Sequence, residues 1–82
     1  MKKTIHMPRL SPEMEKGVLV SWNKEPGEKF QKGDILFEVE TEKVVSEVEA
    51  TEDGIMGEQF VEEGDEVAVD AGVAHMETSD GK

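Results

Sequence analysis

Apolar residues recur at every second position in short runs broken by glycine- and proline-centred turns, the period of strands half-buried in a sheet. The runs fall at Thr4–Met7, Gly17–Trp22, around Phe30, Ile35–Glu40, Val45–Ala50, Ile55–Val61, Val67–Val69 and Val73–Met76. Pro8 ends the first because it offers no N–H to a ladder. In Gly17–Trp22, either Val18, Val20 and Trp22 or Leu19 on the opposite side can face the core. Glu25-Pro26-Gly27-Glu28 has the Pro and Gly that a type II turn requires, and Lys32-Gly33-Asp34, Thr51-Glu52-Asp53-Gly54, Glu63-Gly64-Asp65 and Asp70-Ala71-Gly72 mark further turns. Seven or eight short strands without a required helix predict an all-β fold: a flattened barrel or sandwich of two antiparallel sheets.

The chain also echoes itself. Gly17-Val18 and Gly54-Ile55, and Gly27-Glu28 and Gly64-Asp65, each sit 37 positions apart, and Gly33 with Gly72 continues the echo after a two-residue insertion. This predicts a pseudo-two-fold molecule with the central hairpin at one end and the chain termini at the other.

That hairpin pairs Ile35–Glu40 with Val45–Ala50. Its expected register sets Ile35 against Ala50, Phe37 against Val48 and Val39 against Ser46 on an apolar face, and Glu38 against Glu47 on a charged one. Thr41 then faces Val44, and Glu42 and Lys43 form a two-residue turn with Lys43 projecting from its tip. Val44, Val45 and Val48 would also suit a helix, but the β-branched density and the alternation of Ile35, Phe37 and Val39 favour strands.

Length and composition narrow the chemistry. A chain of 82 residues is one small domain with no room for a deep cleft. Twenty acidic against nine basic residues give a net charge of −11, which opposes nucleic acid and anionic membranes. Cysteine is absent, removing disulfides, thiolate nucleophiles and Cys-based metal sites, so any thiol on this protein must be attached. No run approaches transmembrane length, and Met1 to His6 lacks the apolar core of a signal peptide, so a soluble intracellular setting is expected.

No catalytic constellation emerges. Glu38, Glu40, Glu42, Glu47 and Glu49 crowd Lys43 and favour its charged form, which argues against amine catalysis but not against attachment by an enzyme that brings its own base. The same carboxylates read as solvated charges that discourage edge-to-edge pairing, not as a metal site. His6 and His75 lack companion ligands, and the serines sit in no nucleophile motif. Residue by residue, a carrier of an attached group and a plain interaction domain, with Lys43 only solubilising, both fit.

The motifs together resemble a known family: the lipoyl domain, of the biotinyl/lipoyl attachment type, found in the dihydrolipoyl acyltransferase (E2) of 2-oxo acid dehydrogenase complexes. Met7-Pro8-Arg9-Leu10-Ser11-Pro12-Glu13-Met14-Glu15-Lys16-Gly17 is similar to its opening Met-Pro-x-Leu-Ser-Pro-x-Met-x-x-Gly, and Glu38-Val39-Glu40-Thr41-Glu42-Lys43 to its Glu-Ile-Glu-Thr-Asp-Lys. Trp22, Pro26-Gly27-Glu28 and Gly33-Asp34 fall where that pattern places them. The resemblance implies a non-catalytic carrier with lipoic acid in amide linkage to Lys43, flanked by Glu42 and Val44. The arm would be acylated by the decarboxylase (E1), deliver the acyl group to coenzyme A at the E2 core and be reoxidised by dihydrolipoyl dehydrogenase (E3). Lipoate ligase or lipoyl transferase would attach it. Leu10, Ser11, Pro12, Glu13 and Met14 would contribute to recognition by the decarboxylase.

Glu42 replaces the family's Asp and Val44 its Ala, changes that preserve the turn. The opening loop resembles pyruvate complexes, whereas Glu-Lys-Val-Val also suits acetoin systems. The alternative, a biotin carrier domain of a carboxylase, normally has Met-Lys-Met at this position. The expected domain covers 1–77, with 78–82 a polar tail. The family's Pro/Ala-rich linker is missing after Met76, as for an excised domain or a stand-alone carrier. The isolated domain is expected to be monomeric, and its setting cytoplasmic in a bacterium or archaeon and the mitochondrial matrix in a eukaryote.

Overall fold

The computed structural model describes residues 1–42 and 44–78. Eight strands form: β1 (Lys2–His6), β2 (Lys16–Trp22), β3 (Lys29–Phe30), β4 (Ile35–Glu40), β5 (Val45–Glu49), β6 (Gly54–Gln59), β7 (Glu66–Ala68) and β8 (Gly72–Glu77). They make two four-stranded sheets, ordered β1-β8-β6-β3 and β5-β4-β2-β7, with antiparallel pairing throughout. The sheets do not join into a closed barrel, so the architecture is the sandwich of the two expected forms. Between them lies one core that includes Met7, Leu19, Phe37, Val39, Met56 and Val73. Leu19 is thus the inward residue of β2, and Val20 is exposed.

The strand ends shift from expectation for local reasons. Met7 leaves β1: its N–H donates to Ala71 O at 2.9 Å, its carbonyl accepts from Asp70 N–H at 2.8 Å, and its side chain is fully buried. β6 likewise ends at Gln59, before Phe60 and Val61. In the central hairpin, Phe37↔Val48, Glu38↔Glu47, Val39↔Ser46 and Glu40↔Val45 pair as expected. Ile35, however, pairs with Glu49 and not Ala50, because the register shifts between Ile35 and Phe37. The bulge turns Leu36 and Phe37 both inward and leaves Ile35 half-buried.

The two sheet orders superpose when β1, β8, β6 and β3 are matched to β5, β4, β2 and β7, which is the pseudo-two-fold relation. Hydrogen bonds repeat with it. Gly27 N–H donates to Met56 O and Gly64 N–H to Leu19 O, both at 2.7 Å, and the β4 bulge recurs in β8, where Val73 and Ala74 are both buried. The counterpart of Gly33 is not Gly72 but Asp70: both have positive φ, 95° and 73°, at the third position of a turn. The 37-residue offset therefore holds without an insertion, hidden because an aspartate takes a glycine's place. A methyl group built on Gly33 would touch nothing within 4 Å, so Gly33→Ala is expected to cost about 1–2 kcal/mol from backbone strain alone. Asp70→Gly should stay within about 1 kcal/mol of wild type, the relief offsetting the added chain entropy. Urea unfolding midpoints check both.

The start of the chain meets Thr78. Thr78 N–H donates to Met1 O at 2.8 Å, and the Met1 ammonium donates to Thr78 O at 2.6 Å. Thr78 is 5% exposed; residues 79–82, the rest of the expected polar tail, lie outside the described residues. Asp34, at the head of β4, shares a groove with Glu77 and Thr78, whereas Glu40 and Thr41, at its foot, line another with Ser11 and Glu13. Six residues of strand, about 20 Å, separate Met1 and Thr78 from Thr41.

Candidate functional site

The hairpin closes as its sequence demands. Thr41 N–H donates to Val44 O at 2.9 Å, and Thr41 Oγ1 donates to the same carbonyl at 3.3 Å. Glu42 and Val44, the neighbours of Lys43 in the chain, are exposed, Val44 to 55%. Lys43 itself lies outside the described residues. The flanking positions therefore stand clear of the core, where an enzyme can reach them.

Beside the tip stands the loop from Pro8 to Glu15. Nine residues separate Met7 from Gly17, against three between their counterparts Ala50 and Gly54, so this loop belongs to one half alone. Met14 holds it. Its side chain is 5% exposed and part of the core, and its sulfur accepts from Leu10 N–H at 3.2 Å. Its N–H donates to Ser11 O at 3.1 Å, and its carbonyl accepts from Arg9 Nη1 at 2.6 Å. Arg9 also donates to Pro12 O at 3.3 Å.

Gly17 makes the seat for Met14. A Cβ there would lie 2.6 Å from Val39 Cγ1 and 3.0 Å from Met14 Cε, distances that only glycine permits. The absent side chain lets the loop pack against the strand that carries the hairpin. Of the five residues expected to meet a partner, Leu10, Ser11, Pro12 and Glu13 are exposed, while Met14 is withheld in the core and anchors the other four. Arg9 and Gly17 were not singled out for this purpose. That Arg9 is the chain's one arginine is the only signal it gives in sequence, since its acceptors are main-chain carbonyls.

Loop and hairpin border a shallow groove of ≈ 740 Å³ lined by Ser11, Glu13, Lys16, Val18, Thr41, Glu42 and Val44. Glu15, Glu40 and Glu66 also face it, and the Lys16 ammonium is drawn to Glu66 at 3.2 Å. The carboxylates stay dispersed: among the described residues, no three His, Asp or Glu side chains converge as metal ligands. His75 is half-buried with Phe60 edge-on at 4.6 Å, and His6 is exposed on β1. Trp22 packs against Phe37 with ring centroids 5.2 Å apart, and its Nε1–H donates to Val61 O at 3.1 Å. These aromatic groups serve packing away from the tip.

Comparison with known proteins agrees with this geometry. A biotin/lipoyl family model, described as biotin-requiring enzyme, matches residues 3–76. The chain is 48% identical over 62 residues to the mitochondrial pyruvate dehydrogenase complex protein X component of Saccharomyces cerevisiae, covering 76% of this chain and 15% of that protein. It is 43% identical over 75 residues to the dihydrolipoyllysine-residue acetyltransferase component of the pyruvate dehydrogenase complex of Rhizobium meliloti, covering 90% of this chain and 17% of that protein. The chain thus spans about a sixth of the length of these two relatives. Among solved structures, a long-chain acyl-CoA carboxylase superposes with a TM-score of 0.80 over 95% of this chain and 7% of its own, but at 14% identity it shows the fold alone. The lipoyl domain of the 2-oxoglutarate dehydrogenase complex of Azotobacter vinelandii superposes with a TM-score of 0.76 at 31% identity, covering 92% of this chain and 95% of that domain. The chain belongs to the biotin/lipoyl attachment family and, within it, to the lipoyl domains of 2-oxo acid dehydrogenase complexes.

Proposed function

We propose that this domain is a mobile carrier with lipoic acid in amide linkage to Lys43, serving a 2-oxo acid dehydrogenase complex of the pyruvate type. The observation that supports it most is the closure of the β4–β5 hairpin by Thr41 and Val44, which brackets Lys43 between two exposed residues. Met1 and Thr78 lie a strand's length away from this closure. Lipoic acid would supply a dithiolane that takes up acyl groups and electrons. The chain's own contribution is to tether that group through one lysine and so raise the group's effective concentration at each site the tether reaches.

The partners on this reading are the E1 decarboxylase, the E2 acyltransferase core, the E3 dihydrolipoyl dehydrogenase and a lipoate ligase or lipoyl transferase. Leu10, Ser11, Pro12 and Glu13 form the surface offered to the decarboxylase, held in shape by Met14 and Arg9, and Glu42 and Val44 flank the attachment point. The setting is the cytoplasm of a bacterium or archaeon, or the mitochondrial matrix. Pyruvate is favoured because the two curated relatives described above are pyruvate dehydrogenase components.

Incubation with lipoate ligase or with biotin ligase, each with its acid and ATP, tests the reading by intact mass. One lipoyl adduct per chain on Lys43 and none from biotin is the expected outcome. A biotin adduct without a lipoyl one would make this a carboxylase carrier.

A further inference from the structure

One closure occurs twice in this molecule. Thr41 N–H and Oγ1 both donate to Val44 O, at 2.9 and 3.3 Å. At the opposite end, Thr78 N–H and Oγ1 both donate to Met1 O, at 2.8 and 3.3 Å. Thr41 and Thr78 stand one repeat apart, each directly after the last residue of its strand. Any residue can give the main-chain bond; only a hydroxyl gives the second.

At the termini the second bond lies in a part-buried setting, and at the hairpin it is exposed. An exposed bond between neutral groups adds little to folding, so stability is a weak reason for a threonine at position 41. Packing does not fix the tip either: Val44 and Val45 are 55% and 56% exposed, and Glu42 is exposed too. Two donors from one residue on one carbonyl restrain the Val44–Val45 peptide, one residue beyond Lys43, and so hold the far side of the turn in place. Attachment requires the amine to arrive in one position, and disorder at the tip lowers the fraction of encounters that react.

We propose that the Thr41 hydroxyl is a positioning residue for the modification of Lys43, acting by locking the Val44 carbonyl. This rests on the carrier function above and deepens it. The repeat supplies the control, because Thr78→Val removes the matching hydroxyl at the far end of the sandwich. Initial rates of lipoyl attachment by lipoate ligase are measured by intact mass on wild type, Thr41→Val, Thr41→Ser and Thr78→Val, alongside thermal midpoints. Thr41→Val should react about two- to tenfold more slowly, the loss of one hydrogen bond, and Thr41→Ser should match wild type. Thr78→Val should keep the wild-type rate although its midpoint falls at least as far, since Thr78 is 5% exposed. A wild-type rate in Thr41→Val, or equal slowing in Thr78→Val, would overturn the proposal. A wild-type chain that takes no lipoyl group would remove the carrier function itself, a result visible before any variant is compared.

Discussion

Phe37→Ala is expected to remove a large share of the domain's stability, so that it unfolds at urea concentrations where wild type is still folded. Phe37 is 0% exposed and lies inside the bulge of β4, its ring 5.2 Å from that of Trp22 and its backbone paired with Trp22 and Val48. Emptying such a site costs about 3–5 kcal/mol, the lost transfer energy plus the cavity. At about 0.05–0.15 kcal/mol per residue, the whole domain is stable by only about 4–12 kcal/mol. The substitution therefore removes a large share of what holds the sheets together. Because β4 also leads into Thr41, attachment at Lys43 should fall with it although nothing at the tip has changed. Urea unfolding followed by Trp22 fluorescence measures the cost, with Val44→Ala, exposed at the tip, as a control expected within about 0.5 kcal/mol. A Phe37→Ala midpoint close to wild type would mean that the core is not organised around this ring.

Much of this architecture was legible in the sequence where one residue type had one physical use. The β4 boundaries and the closure of Thr41 on Val44 follow from alternation and a two-residue turn. The turns at Gly27, Gly33 and Gly64 announce themselves because their positive φ suits glycine. What stayed hidden depended on the sheets meeting. Ile35, Leu36 and Phe37 are all apolar, so alternation alone could not show which pair the bulge would bury. Asp70 performs a glycine's task without a glycine's signature. Met14 sits in a polar, proline-containing stretch that reads as exposed, and only the gap over Gly17 makes it core. Thr78 is polar and near the end of the chain, yet the pseudo-two-fold relation gives it the place that Thr41 has in the hairpin.

The same relation explains how a small fold separates its two duties. One closure, Thr41 on Val44, brackets the position proposed for attachment. Its counterpart is where Met1 meets Thr78, the residue directly after β8. The eight-residue loop from Pro8 to Glu15 then breaks the symmetry at the hairpin end alone. On the proposed function, recognition and attachment would be gathered on one side, with Met1 and Thr78 on the other.

The central claim is that Lys43 carries the arm, and thiol titration of the lipoylated protein after mild reduction tests it most directly. The chain has no cysteine, so the background is zero. Lys43→Arg keeps the positive charge but offers a guanidinium that does not form the amide, and its unfolding midpoint should match wild type. The expected result is two thiols per wild-type chain and none in Lys43→Arg. Thiols that persist in Lys43→Arg, or a lipoate-ligase-treated wild type without them, would contradict the assignment.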